Sequence, residues 1–270
     1  SSLAWGTADF LGGQMSKRYR PFFVVAVSQT FGLLLMLVVA TATGGWDEPT
    51  DYVPWAVVAS ITGFVGLGMF YRAMATGAVG VVSPITALAG LGPIVLGLAL
   101  GDTPTVVQYL GLLAALLGVV LASGPELSGD TGARPVVLAV GATVLFGVCL
   151  VAIAMGSRSS PVMTMTGMRI STVGILAVAG VVTVLRGDRF TVSGGRDLAA
   201  MAIVGILDVA ANLFYGIATT TGVLSLVSVL GSIYPVVTVL LAWWFLGERL
   251  RTIQYVGVAL ALGGVAAIVA

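Results

Sequence analysis

The charged residues of this chain come in clusters, and the clusters cut it into apolar runs about one bilayer long as helices. The cuts fall at 15–21, 44–53, 72–80, 101–105, 124–135, 156–161, 186–196, 219–222 and 247–252. They leave ten runs: 1–15, 21–43, 53–74, 78–100, 105–123, 135–156, 161–185, 197–218, 222–246 and 252–270. Such a chain has one economical solution, an all-α polytopic membrane protein with ten transmembrane helices. Composition agrees. Charged residues are 9% of the chain, against roughly 25% in a soluble domain. Hydrophobic residues are 58% and mean hydropathy is +1.10. The lipid bilayer is therefore its main partner. The first run is short and starts abruptly at Ser1, so further residues are expected before it. It lacks the basic start and cleavage site of a signal peptide.

Several function classes drop out. A net charge of +1 gives no basic face for nucleic acid. Cys149 is the single cysteine, which excludes an internal disulfide and a cysteine metal site, and there is no histidine. No cofactor or metal is expected. No GxxxxGK[ST] loop is present, so ATP hydrolysis by this chain is not expected. An intramembrane enzyme would need a nucleophile and base among Ser and Asp alone, and no such pairing is visible.

The 37 glycines, with many Ala and Ser, suit close helix contact in lipid, as in "TGFVGLG" and "ALAGLG". Pro93 and Pro235 fall inside the fourth and ninth runs, remove backbone hydrogen bonds there, and are candidate hinges.

The chain also repeats itself. "FYRAMATGAVGVVS" (70–83) resembles "FYGIATTTGVLSLVS" (214–228), and "LGDTPTVVQYLG" (100–111) resembles "LGERLRTIQYVG" (246–257). "SLAWG" (2–6) matches "TVLFG" (143–147), and "SKRYRP" (16–21) matches "SRSSP" (157–161). Each copy holds five runs. Five is odd, so the second copy enters the membrane from the opposite side. The expected architecture is two inverted five-helix repeats around a central cavity, a transporter signature.

These duplicated motifs, with "SSLAWGTADFLGG" in the first helix, make the whole chain resemble the drug/metabolite transporter (DMT) superfamily, and most closely its ten-helix EamA branch. The resemblance implies a first EamA-like repeat at 1–124, a linker at 125–134 and a second repeat at 135–270. It implies a secondary transporter, an exporter, of a small metabolite, amino acid or cationic drug by alternating access. It further implies placement in a bacterial inner (plasma) membrane, with a single copy sufficient. The superfamily's small multidrug resistance members carry a carboxylate within Ala-Glu-apolar-apolar-Gly and exchange protons at it. Ala8-Asp9-Phe10-Leu11-Gly12 has that form with Asp for Glu. The second repeat has Leu150 or a neighbour where a matching acid would stand.

Polar residues inside the runs are the candidate substrate-binding or coupling groups, and a charged one costs about 2.5–3.5 kcal/mol on insertion. Asp9 lies about two turns from the basic cluster Lys17, Arg18, Arg20, and is the candidate proton carrier. Asp208 and Asn212, four apart, share a helical face that Tyr215 adjoins. Arg169 stands eight residues after Pro161 and Gln29 eight after Pro21, so the repeat pairs them. Arg169 needs an anion: Asp9, Asp208 or a substrate carboxylate. Sharing one cavity, the two acids and Arg169 would suit a cation, a zwitterion or a proton. Trp5, Tyr71, Tyr215 and Tyr234 are candidate cavity aromatics. Trp243 and Trp244 read as interfacial anchors. Asp102, Glu248 and Arg249 read as solvated or capping groups at run ends, and Cys149 as packing.

Of the 12 lysines and arginines, all but Arg158 and Arg169 fall in odd-numbered loops. The positive-inside rule puts those loops in the cytoplasm and both termini outside, whereas the EamA resemblance implies termini inside. A lipid-handling flippase, or an accessory subunit of an envelope enzyme, is the rival reading. It would show a groove open to lipid with a basic rim.

Overall fold

A computed structural model describes residues 1–76, 82, 85–124, 133–185, 194–247 and 249–269, all helix or connecting turn, with no strand among them. In chain order, α1 is Ser2–Ser16, α2 Pro21–Ala42 and α3 Val53–Thr76. α4 is Leu91–Ala99, entered through a 3-10 turn at Ala87–Gly90, and α5 is Val106–Ala122. Then come α6 Ala133–Ser157, α7 Pro161–Leu185 and α8 Gly195–Thr221. α9 Leu224–Gly231 and α10 Tyr234–Leu246 divide one apolar stretch, and α11 is Thr252–Val269. Every apolar run thus holds helix. Among the described residues seven stretches are long and apolar enough to cross a membrane, and Ala87–Ala99 and Val106–Ala122 are shorter apolar helices. α3 carries Arg72 beyond the expected cut, and α8 runs on through Thr219 and Thr220, because a helix leaving lipid keeps its backbone bonds until a turn residue stops it.

Local chemistry sets the ends. Pro21 opens α2 at a position whose N–H would have no helical partner. Thr105 and Gln108 form a reciprocal capping box at the start of α5. Gly247 ends α10 at φ +65°, a left-handed conformation natural to glycine.

Packing rests on small residues. A Cβ added at Gly118 would meet the Ala261 backbone nitrogen at 2.2 Å, and one at Gly264 would meet the Ala115 nitrogen at 2.5 Å. α5 and α11 therefore run antiparallel in backbone contact. Gln108 reaches the Ile268 carbonyl at 3.4 Å and Gln254 the Ala122 carbonyl at 3.3 Å, one at each end of the pair. Antiparallel contact also joins α3 to α6, through Gly66 against Phe146 and Trp55 against Gly156. α1 packs antiparallel on α8 through Gly12 against Val204. α2 lies on α7 and α8, with Ser28 and Gly32 against Gly205. α4 packs on α9, with Gly90 against Ser232 and Gly97 against Ser225. Large apolar side chains such as Leu34, Val38, Leu110, Leu117, Val178 and Trp244 are exposed on the outside, where lipid is the solvent. The chain is an integral membrane protein by this architecture.

Candidate functional site

Four of the expected residues meet between α2, α7 and α8. Arg169 on α7 is 3% exposed, and its Nη2 lies 2.9 Å from a carboxylate oxygen of Asp208 on α8, which is 26% exposed. The Gln29 side-chain nitrogen donates to the same oxygen at 3.1 Å, and its oxygen accepts from Arg169 Nη1. Asn212, one turn on, donates to the other Asp208 oxygen at 3.2 Å and to the Asp208 carbonyl at 2.7 Å. Asp208 is thus the anion that Arg169 requires, and Gln29 bridges the two. The arrangement satisfies most of the buried polar atoms, though Nε of Arg169 has no hydrogen-bond partner among the described residues. The Cys149 thiol is buried nearby, within electrostatic reach of both Arg169 and Asp208, and donates to the Ala59 carbonyl at 3.3 Å.

Asp9 is placed differently. It is exposed, within electrostatic reach of Asp208 on α8 and Tyr234 on α10, and its carboxylate has no hydrogen-bond or ion-pair partner among the described residues. The neighbours of α1 fix what it is exposed to. Gly12 faces Val204 of α8, while Gly6 faces Val237 of α10 and Phe10 stacks toward Phe245 at 6.1 Å. Asp9 lies between these contacts on the helix circumference and looks between α8 and α10 into the bundle. Gly13, one turn further, is exposed too, with no atom within 4 Å of an added Cβ.

On the opposite side of Asp9 the space is filled. Trp5, one turn back, meets Tyr215 at 5.8 Å and Tyr234 edge-on at 6.1 Å between ring centroids. Tyr215 is 1% exposed, with its hydroxyl paired to Ser228 at 3.1 Å, so it is a packed ring in this conformation. Tyr71 belongs to α3, but its side chain and Glu248 lie outside the described residues. Pro235 sits in the first turn of α10, directly after the break at Ser232–Ile233, and Pro93 in the first turn of α4. Trp243 and Trp244 are exposed near the end of α10.

Other contacts had no local signal. Asp197, at the start of α8, accepts from the Tyr19 hydroxyl at 2.5 Å and lies 3.6 Å from Arg18, fastening the α1–α2 turn to α8. Asp102, expected to be solvated or capping, accepts the backbone N–H of Ser225 at 2.8 Å and so caps α9. Hydroxyls of Ser2 and Thr143 each reach into the other half, to the Leu230 and Ile85 carbonyls. For this last pair a signal existed, since "SLAWG" and "TVLFG" place a hydroxyl at the same repeat position.

Comparison with known proteins bears on this arrangement. A solved structure described only as a crystal structure of a protein superposes with a TM-score of 0.80 at 20% identity, covering 98% of this chain and 92% of that one. At that identity the likeness speaks for the fold alone. Comparison with the curated proteins gives no match. A family model, the EamA-like transporter family, matches residues 1–124 and 133–270, nearly the whole chain. The chain belongs to the EamA-like transporter family, within the drug/metabolite transporter superfamily.

Proposed function

We propose that this protein is a proton-coupled secondary transporter that exports a small metabolite, amino acid or cationic drug by alternating access, with Asp9 as its coupling acid. The observation that carries the reading is the contrast between the two membrane acids. Asp208 is neutralised by Arg169 at 2.9 Å and held by Gln29 and Asn212. Asp9 is exposed and has no such partner among the described residues. A carboxyl group without a fixed counter-ion can take up a proton, or a cationic group, and release it again. A carboxylate locked to a guanidinium cannot do so without breaking the lock.

In this reading the chain crosses the membrane ten times, as two inverted repeats at 1–124 and 135–270 with a linker at 125–134. The antiparallel pairing of α5 with α11, and the reciprocal reach of Gln108 and Gln254, support that symmetry. So does the family match in two segments. Arg169, Asp208, Gln29 and Asn212 form the fixed wall of the site. Trp5 and Tyr234, with Tyr215 packed behind them, supply its aromatic side, and Pro93 and Pro235 mark where helices bend. No enzyme activity and no cofactor are part of the proposal, and one copy suffices. The membrane is a bacterial inner membrane, with the basic odd loops on its cytoplasmic side.

The test is proton-coupled transport in proteoliposomes, read as solid-supported-membrane currents. Wild type and Asp9→Asn are compared under an imposed pH gradient, against amino acids, lipophilic cations and sugar derivatives. A substrate that drives current in wild type and none in Asp9→Asn supports the reading. Equal currents remove Asp9 from coupling. A second reading, lipid handling, draws on one feature: a groove of about 230 Å³ along Ala26, Val27, Thr30 and Phe31. It lies on the side of α2 turned largely away from the residues packed on α8. Silence across the panel together with lipid scrambling would favour that reading.

A further inference from the structure

The apolar stretch that holds α9 and α10 is interrupted at Ser232–Ile233, and the interruption has a chemical cause. Pro235 has no N–H, so the Gly231 carbonyl four residues earlier loses its helical donor. The Ser2 hydroxyl of α1 takes up this end of α9, donating to the Leu230 carbonyl and lying 3.3 Å from that of Gly231. Above the same turn lie two rings. A Cβ on Gly231 would stand 3.3 Å from Tyr215 and 3.5 Å from Trp5. Trp5 therefore rests on the last turn of α9 while touching Tyr215 and Tyr234.

The surrounding contacts divide into two groups. α10 is bound to α1: Gly6 lies so close to Tyr234 and Val237 that an added Cβ would be 2.5 Å from Val237, and Thr238 donates to the Gly6 carbonyl at 3.1 Å. α9 is bound to α4 through Asp102 and Ser225, and through Gly90 against Ser232 and Ser228. The break at Ser232–Ile233 joins the α1–α10 group to the α4–α9 group, and Trp5 fills the seam between them. On one side of Trp5, toward the odd-numbered loops, lie the exposed Asp9 and, one turn on, Gly13 with room for a side chain. On the other lies the start of α1, on the face of the even-numbered loops.

We propose that Trp5 is the gate of the even-loop face: it closes the interior by resting on the last turn of α9, and it opens by pivoting at Ser232–Ile233, with the Ser2 hydroxyl as its catch. This rests on the transporter reading above, because a gate needs an interior that is reached from both faces in turn.

The experiment requires no substrate. Gly13→Cys is introduced in a Cys149→Ala background, since Gly13 has room for a side chain and Cys149 is the sole native thiol. Lys17→Cys, on an exposed odd loop, reports vesicle orientation in a parallel sample. The protein is reconstituted, and a membrane-impermeant maleimide is applied from each face separately. The parent should label from the odd-loop face only. Adding Trp5→Ala should raise labelling from the even-loop face about tenfold, while Trp5→Phe should leave it one-sided. Ser2→Ala, which removes no ring and carries little risk to folding, should raise even-face labelling severalfold. If Trp5→Ala folds, or Ser2→Ala in its place, and labelling stays one-sided, the gate assignment is overturned. If the parent labels from neither face, the interior space beside Asp9 is not reached from outside and the transporter reading itself fails.

Discussion

The Arg169–Asp208 pair allows a quantitative prediction. Breaking a buried ion pair by removing one partner costs about 3–5 kcal/mol, because a charge is left uncompensated. Here the partners are unequal. Arg169 is 3% exposed and Asp208 is 26% exposed, so the guanidinium has far less recourse to solvent. Asp208→Asn strands Arg169 with only amide partners, and the exposure of Asp208 lowers the cost to about 2–3 kcal/mol. Arg169→Met leaves Asp208 with solvent, Gln29 and Asn212, at a cost of about 1 kcal/mol. The double variant Arg169→Met/Asp208→Leu removes both charges and should cost less than Asp208→Asn alone. The assay is thermal unfolding in detergent. At roughly 2–4 °C per kcal/mol for a chain of this size, Asp208→Asn should lower Tm by about 5–10 °C and Arg169→Met by about 2–4 °C. Equal losses, or a double variant equal to the sum of the singles, would refute the asymmetry and the coupling behind it.

Gly118→Val should abolish assembly, read as loss of the monodisperse peak in size-exclusion chromatography, because its added atoms meet the backbone of Ala261; Gly263→Ala, with open space around it, should behave as wild type. Asp9→Asn should keep its Tm within about 2 °C of wild type while losing pH-driven current, since its carboxylate has no hydrogen-bond or ion-pair partner among the described residues. Asp102→Ala should lower Tm by about 2–4 °C, corresponding to about 1 kcal/mol for a lost helix cap, and Asp102→Asn should recover part of that.

What could be read from the residues alone follows a physical divide. Helix positions were legible because lipid leaves no alternative for a 20-residue apolar run, and charge clusters mark where lipid ends. The equivalence of Gln29 and Arg169 was legible too, because the repeat gives each the same distance from a helix-starting proline, but the bond between their side chains was not. Arg169's choice of Asp208 over Asp9 was not, since both acids are single residues on apolar helices and only the rotation of α1 separates them. The packed state of Tyr215 depends on Ser228 and Trp5, which lie on other helices. Tyr19 with Asp197, and Asp102 with Ser225, join residues 178 and 123 positions apart. No local pattern anticipates such contacts. The break at Ser232–Ile233 stood between: Pro235 announced a bend, but the hydroxyl from α1 that takes up the freed carbonyls becomes visible only when the chain is folded.

The backbone contact between α5 and α11 has a consequence for how the molecule comes into being. During synthesis α5 emerges with Gly111, Ala115 and Gly118 along one side, a surface too shallow for acyl chains to fill well. Its complement, Gly257, Ala261 and Gly264, is made last among the helices described. Throughout elongation of α6 to α10 the membrane therefore holds a helix whose best-fitting neighbour does not yet exist. Insertion of the 18 residues of α11 is the step that fills that side, and a chain interrupted before it would present the unfilled side to quality control.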